Sequence, residues 1–315
     1  MLLRIIKEYL RNRPGLISIQ DSMRLQEKEP GGMDTLFAFT CDLEISPEAR
    51  SRRNACDNRL VKGYGAMQDI LTRYEVTGTF FAEGRICQEH PEMVEELCQA
   101  GHEIGSHGFG HIPMTYVWPT AFLPIFSDLK KRRADIRKSK DIINAIVKKT
   151  PVSFRSPHMA IDQASLRILE EEGFLLDSSL YNPAFGKLSF PYHPSENDLV
   201  NEGKMNMLEI PVTVSVFPQR KVVYYRYPTI FELEAGQIER AVSGICEVYS
   251  RLNYPFSLFA TLIHPYELCS PMFISKVSNF LRSMKKIGAR GLTFLELLKE
   301  WEHRVPESCG NGLTS

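Results

Sequence analysis

His107 and His111 stand four residues apart in the run Gly101-His102-Glu103-Ile104-Gly105-Ser106-His107-Gly108-Phe109-Gly110-His111, close enough for two imidazoles to share one divalent ion. Imidazoles at i and i+4 can bind a metal from one helix face, but Gly108 and Gly110 disfavour a helix and imply a loop wrapped round the ion. Solvated or core-satisfied histidines are the alternative at this spacing. Upstream, the apolar run from Leu36 ends in Asp42-Leu43-Glu44. Residues two apart on a strand share a face, so Asp42 and Glu44 can point into one pocket while Leu43 turns away. One carboxylate with two imidazoles leaves positions for water and substrate, as hydrolytic metal sites require, and frees the second carboxylate to act as a base.

Three further polar groups close apolar runs: Arg155 in Phe154-Arg155-Ser156-Pro157-His158, Asp177 in Leu176-Asp177-Ser178-Ser179, and His264 in Leu262-Ile263-His264-Pro265-Tyr266-Glu267. Each has a plainer reading. Arg155 could be a surface loop cation, Asp177 a turn cap through Ser178 and Ser179, and Glu267 a cap on the helix after it. His158 lines the pocket or caps a strand, and His90, His102, His193 and His303 read as structural or surface residues.

In this order, Asp, HxxxH, Arg-x-Pro, Asp and a late strand ending in His, the chain resembles the polysaccharide deacetylases, the carbohydrate esterase family with the nodulation-type deacetylase domain. The resemblance covers about residues 34 to 300. Thr77-Gly78-Thr79-Phe80-Phe81, His90-Pro91-Glu92 and the Gly101–His107 block resemble the family's second strand, helix and metal loop in succession. Gly173-Phe174 before Asp177, and the Ile263–Glu267 run, are similar to an exopolysaccharide-associated branch.

The resemblance implies that Asp42 is the general base for the hydrolytic water, oriented by Arg155, and that His107 and His111 hold the metal. It implies His264 as the general acid for the leaving amine, its ring tuned by Asp177. The common family pattern has two adjacent aspartates, the second a ligand. Leu43 stands at that second place, and Glu44 is the expected third protein ligand. With Glu44 turned to solvent, the chain would be a degenerate member that binds sugar without cleaving it. An amide is a poor electrophile, so a Lewis acid and a proton donor of near-neutral pKa suit the reaction. Zinc is the first choice for this mixed donor set, which also accepts Co2+, Ni2+ or Mn2+. The expected reaction removes an acetyl or formyl group from an amino sugar in a glycan or linked to a nucleotide or lipid. A cytoplasmic amidase acting on a small non-sugar amide, or a sugar-binding module, are the rival readings. Tyr64, Tyr181 and Tyr266 could stack on sugar rings in either case.

These groups must be positioned by strand ends. Strands are expected at 36–40, 79–81, 103–106, 153–155, 175–177, 208–212 and 258–263, alternating with helices near 60–74, 91–100, 127–148, 163–172, 230–251, 272–287 and 293–302. Pro91 fits a first helical position, and Gly101 and Gly173 fit helix stops. The alternation predicts a parallel α/β fold. The resemblance implies a distorted, incomplete (β/α)7 barrel with its site at the strands' C-terminal ends. The expected organisation is an N-terminal extension over residues 1–33, a barrel domain over 34–303 and a flexible tail over 304–315.

A chain of 315 residues that is 43% hydrophobic can bury one large core. Its net charge of zero gives no global field for nucleic acid, and Lys130-Lys131-Arg132-Arg133 reads as a solvated helix face. Seven scattered cysteines without paired spacing, and an N-terminus interrupted by Lys7, Arg11 and Arg13, point to the cytoplasm. Residues 112–126, rich in aromatics and prolines around Tyr116 and Trp118, could line a lipid groove or touch a bilayer surface, assisted by the amphipathic stretch 2–11. Packing over the barrel mouth or a dimer contact is the plainer alternative, and the polar loop 188–206 would shape the substrate side.

Overall fold

In the computed structural model the described residues are 33–51, 57–115, 128–181, 190–214, 229–251 and 253–305. The first strand, β1 (Thr35–Leu43), has all nine residues buried. It is covered on both faces, which is why its sequence is a near-continuous apolar run. Around it lie β2 (Gly78–Ala82), β3 (Glu103–Ser106), β4 (Ser153–Phe154), β5 (Leu176–Asp177), β6 (Leu208–Glu209) and β7 (Ser257–Ala260), in the spatial order β6-β5-β4-β3-β2-β1-β7. All these pairings are parallel. All seven expected strands are present, in a curled, incomplete (β/α) barrel. One more short strand, β8 (Arg290–Gly291), pairs with β1 and was not expected. Beyond β6, Thr213 donates its N–H to the Ala260 carbonyl of β7 at 2.8 Å, a contact that narrows the opening in the barrel.

Helices cover the sheet: α1 (Pro47–Ser51), α2 (Asn58–Tyr74), α3 (Gly84–Glu89), α4 (Pro91–Gln99), α5 (Leu129–Val147), α6 (Gln163–Glu171), α7 (Ala235–Arg251), α8 (Pro271–Lys286) and α9 (Phe294–Arg304). The two short helices α1 and α3 are additions to the expected set, since neither spans enough residues to show a helical period. Pro91 lies in the first turn of α4, and Gly101 and Gly173 both have positive φ just past helix ends. Side chains set the helix starts: Asp128 accepts from the N–H groups of Lys130 and Lys131, and Thr293 and Glu296 form a capping box on α9.

The main core gathers β1, β2, β7 and the inner faces of α2, α4, α7 and α8. A second cluster, with Phe154, Leu166, Leu169, Phe174 and Met207, also holds Met114 and so anchors the chain just after His111. Gly63 lets α2 approach the backbone after His264. A Cβ there would lie 1.7 Å from the Pro265 carbonyl oxygen. Among the described residues no helix is long and apolar enough to cross a membrane. Of the expected segments, residues 1–32, 116–127 and 306–315, with the amphipathic stretch and Trp118 among them, lie outside the described ones.

Candidate metal and catalytic site

Because the sheet is parallel, every strand delivers its C-terminal end to the same rim. Arg155 follows β4 and is fully buried rather than a surface cation. Its Nη1 donates to Asp42 Oδ1 at 2.9 Å and to Thr40 Oγ1 at 2.8 Å. Nε and Nη2 donate to the Ser178 carbonyl at 2.9 Å and to Ser178 Oγ at 2.8 Å. The guanidinium also lies 4.3 Å from the centre of the Phe81 ring. Thr40 and Asp42, two apart on β1, present one face to the same fork, a use of planar geometry that lysine cannot reproduce.

Glu44 leaves β1 on the same face as Asp42, while Leu43 is buried in the core. His107 follows β3, and its Nδ1–H donates to the Arg155 carbonyl at 2.8 Å. That bond fixes the tautomer and leaves the Nε2 lone pair free, 3.7 Å from Glu44 Oε2. His111 Nε2 also contacts Glu44 Oε2. One ligand atom from each of the three residues lies within 4.8 Å of the other two. Among the described residues, Glu44 Oε2 and His111 Nδ1 are buried without a hydrogen-bond partner. Burial works against the Glu44 charge, but the two imidazoles outweigh it and hold the carboxyl well below its usual range. Two imidazole nitrogens and one carboxylate oxygen converging in this way fit a divalent ion with positions left open.

Residues 107–111 form a loop, with Gly108 at φ +69° and His111 at φ +55°. Asp135 of α5 holds it from behind, accepting from the Phe109 N–H at 2.8 Å and the Gly110 N–H at 3.0 Å. A Cβ at Gly108 would meet Asp135 Oδ2 at 2.7 Å, so both φ and space require glycine there. His158, expected to line the pocket or cap a strand, sets its ring edge-on to His111, with centroids 4.5 Å apart.

His264 reaches the rim because Ile263 pairs with Cys41 and accepts from the Asp42 N–H at 2.9 Å. Its Nε2 stands 4.0 Å from Asp42 Oδ2 and 3.6 Å from Glu44 Oε1. Its Nδ1 faces Glu267 Oε2 at 3.1 Å. Burial disfavours the imidazolium, yet Glu267, Glu44 and Asp42 together prevail and push His264 up to about 9. The Tyr266 ring stacks on His264 at 4.9 Å, and its hydroxyl donates to Glu44 Oε1 at 3.4 Å.

Asp177 is the one expected site residue that lies elsewhere. The carboxylate against His264 is Glu267, and Asp177 at the end of β5 instead accepts from Ser179 Oγ at 2.6 Å and faces Glu209 of β6. Tyr64 is also set apart from any sugar. It is buried, with its hydroxyl donating to the Met93 carbonyl at 3.1 Å. His102 is structural, accepting from the Gly78 N–H at 3.1 Å. Arg50 went unnoticed in the sequence. It grips the buried Glu83 at 2.7 and 3.2 Å and stands 3.5 Å from Glu44 Oε2. Neither Arg50 nor Asp135 sits in a motif. Glu267 carried one signal, the three-residue spacing of a capping box.

Residues 57–176 match the family model described as polysaccharide deacetylase, a stretch that includes His107, His111 and Arg155. The peptidoglycan deacetylase of Helicobacter pylori is 21% identical over 263 residues, 78% of this chain and 85% of that protein. A peptidoglycan-N-acetylglucosamine deacetylase of Bacillus cereus is 28% identical over 178 residues, 52% of this chain and 78% of its own length. The crystal structure of a probable polysaccharide deacetylase from Pseudomonas aeruginosa PAO1 shares the fold, with a TM-score of 0.63 at 16% identity over 93% of this chain and 99% of that one.

Proposed function

Since the chain belongs to the polysaccharide deacetylase family, we propose that it hydrolyses the N-acyl amide of an amino sugar in a divalent-metal-dependent reaction. Glu44, His107 and His111 would hold the ion, with zinc as the first choice. When bound, such an ion polarises the acyl carbonyl and makes water more acidic. The rest falls to the chain itself. Asp42, aligned by Arg155, takes the proton of the attacking water. His264, carrying its proton at neutral pH, gives it to the departing amine and prevents re-formation of the amide. Tyr266 and Arg50 brace the two oxygens of Glu44, a longer side chain than aspartate and in more need of restraint.

The observation that carries this reading is the 4.0 Å separation of Asp42 and His264 beside the Glu44, His107 and His111 cluster. It sets a base and an acid on one opening. N-acetylated glycan is the substrate we favour, because the Helicobacter pylori and Bacillus cereus relatives are peptidoglycan deacetylases. The free thiols at Cys41, Cys87, Cys98, Cys246 and Cys269 support a reducing compartment, in which a carrier-linked amino sugar would be the form encountered.

Elemental analysis and acetate release from N-acetylglucosamine oligomers, peptidoglycan fragments and nucleotide-linked N-acetyl sugars provide the test. The wild type should carry one divalent ion and release acetate, His107→Ala/His111→Ala should lose the ion, and Asp42→Asn should keep it while losing turnover. No release by metal-loaded wild type from any of these substrates would overturn the reading.

A further inference from the structure

Asp177 and Glu209 are register partners at the ends of β5 and β6, and both are buried. Each has one satisfied oxygen: Asp177 Oδ1 takes the Ser179 hydroxyl at 2.6 Å, and Glu209 Oε1 takes the Leu180 N–H at 3.1 Å. The other two, Asp177 Oδ2 and Glu209 Oε2, are buried with no donor among the described residues. Two buried anions side by side would repel, and two orphaned oxygens would each cost a desolvation penalty. One proton between them removes both costs. Burial, then the charge of Asp177, pushes Glu209 well above the usual carboxylate range, and burial raises Asp177 as well. The charged and titratable groups around the pair, among the described residues, are Arg155, already committed to Asp42, and the Tyr192 phenol, which donates to the Leu199 carbonyl.

We propose that Asp177 and Glu209 share a single proton and that this acid pair is a positioning unit for Arg155, acting through Ser178–Leu180. The path is short. Ser178 receives two bonds from the Arg155 guanidinium, Ser179 Oγ joins Asp177 to the Ser156 N–H, and Leu180 is tied to Glu209. The pair therefore clamps both sides of the fork that aligns Asp42. This inference rests on Arg155 orienting the base in the proposed reaction.

Glu209→Gln replaces the shared proton with an amide N–H and should preserve the clamp, whereas Glu209→Leu removes it. Infrared difference spectra of wild type minus Glu209→Gln should contain the carbonyl band of a protonated carboxyl at neutral pH. The folded chain holds a proton that the unfolded chain releases above about pH 4.3, so wild-type stability falls as pH rises beyond that point. Glu209→Gln should flatten the decline. Its kcat should stay within about threefold of wild type, and Glu209→Leu should lose about tenfold or more with metal affinity unchanged. Solvent exchange of the Arg155 Nε–H, followed by NMR, should quicken only in Glu209→Leu. Absence of the carboxyl band overturns the shared proton, and unchanged Arg155 exchange in Glu209→Leu overturns the positioning role. If Glu209→Leu does not fold, a Glu209→Gln variant with quickened Arg155 exchange overturns the proposal in its place. The spectral and exchange measurements stand even where no substrate is turned over, so failure of the proposed reaction is read separately.

Discussion

Glu267 accepts from both the backbone N–H and the ring Nδ1 of His264, at 2.8 and 3.1 Å, through the same Oε2. One carboxylate therefore closes the turn after β7 and orients the imidazole whose Nε2 faces Asp42 and Glu44. The residue that caps the turn and the one that orients the proposed acid are the same side chain.

Replacing Glu267 by glutamine should separate these two duties. The amide oxygen can still accept from the His264 N–H, so the turn survives, but the negative charge supporting the imidazolium is gone. We expect unchanged metal content and a kcat about tenfold lower or worse. His264→Ala should likewise keep its metal and lose turnover. Loss of metal in either variant, read by elemental analysis, would contradict an acid role for His264.

Asp135→Ala should loosen the 107–111 loop without touching any of the proposed metal ligands. The Phe109 and Gly110 N–H groups would lose their acceptors, at a cost of about 1–3 kcal/mol in partly buried surroundings. With the loop less ordered, metal affinity measured by titration calorimetry should fall, while Asp42 and Arg155 keep their contact. Asp135→Asn retains one acceptor and should lie between the two. Wild-type affinity in Asp135→Ala would exclude this role.

The parts of the site that lie close in sequence, or at strand ends, were legible. Asp42 and Glu44 share a face by strand alternation, and two glycines between the histidines foretold a loop. The seven strands were found because buried parallel strands are short apolar runs. Side-chain supports arriving from distant elements were not legible. Asp135 is an ordinary acid in a long polar helix until α5 packs behind residues 107–111, and no local pattern announces that contact. The partner of His264 was misassigned for a related reason. Motif order suggested Asp177, but its carboxylate is taken up by Ser179 and faces Glu209, whereas Glu267 is one turn away from His264. β8 escaped because Arg290–Gly291 is not a buried apolar run, the signal that marked the other strands.

Gly63 connects a helix far from the site to His264, the proposed general acid. With a Cβ only 1.7 Å from the Pro265 oxygen, Gly63→Ala must push α2 and the 265–269 turn apart. Overpacking of this kind costs about 1–3 kcal/mol or more. The displacement falls on His264 rather than on the metal ligands, so kcat should drop further than metal affinity. Denaturant titration alongside calorimetry measures both. Equal losses in the two would place the strain elsewhere.

Asp57 makes stability depend on acid pH through the exit of β1. Its carboxylate caps α2 by accepting from the Arg59 N–H at 3.0 Å and holds the Ser46 N–H at 2.6 Å, two residues after Glu44. Burial opposes the charge, but these bonds prevail and lower its pKa. A lowered folded-state pKa contributes stability that is complete above the unfolded value of about 3.9 and is lost as pH falls through the folded one. Asp57→Asn keeps a cap but has no charge to lose. Its melting temperature should lie below wild type at neutral pH, and the two curves should converge as pH falls below about 4. Parallel curves over that range would mean that the Asp57 charge adds nothing to the cap.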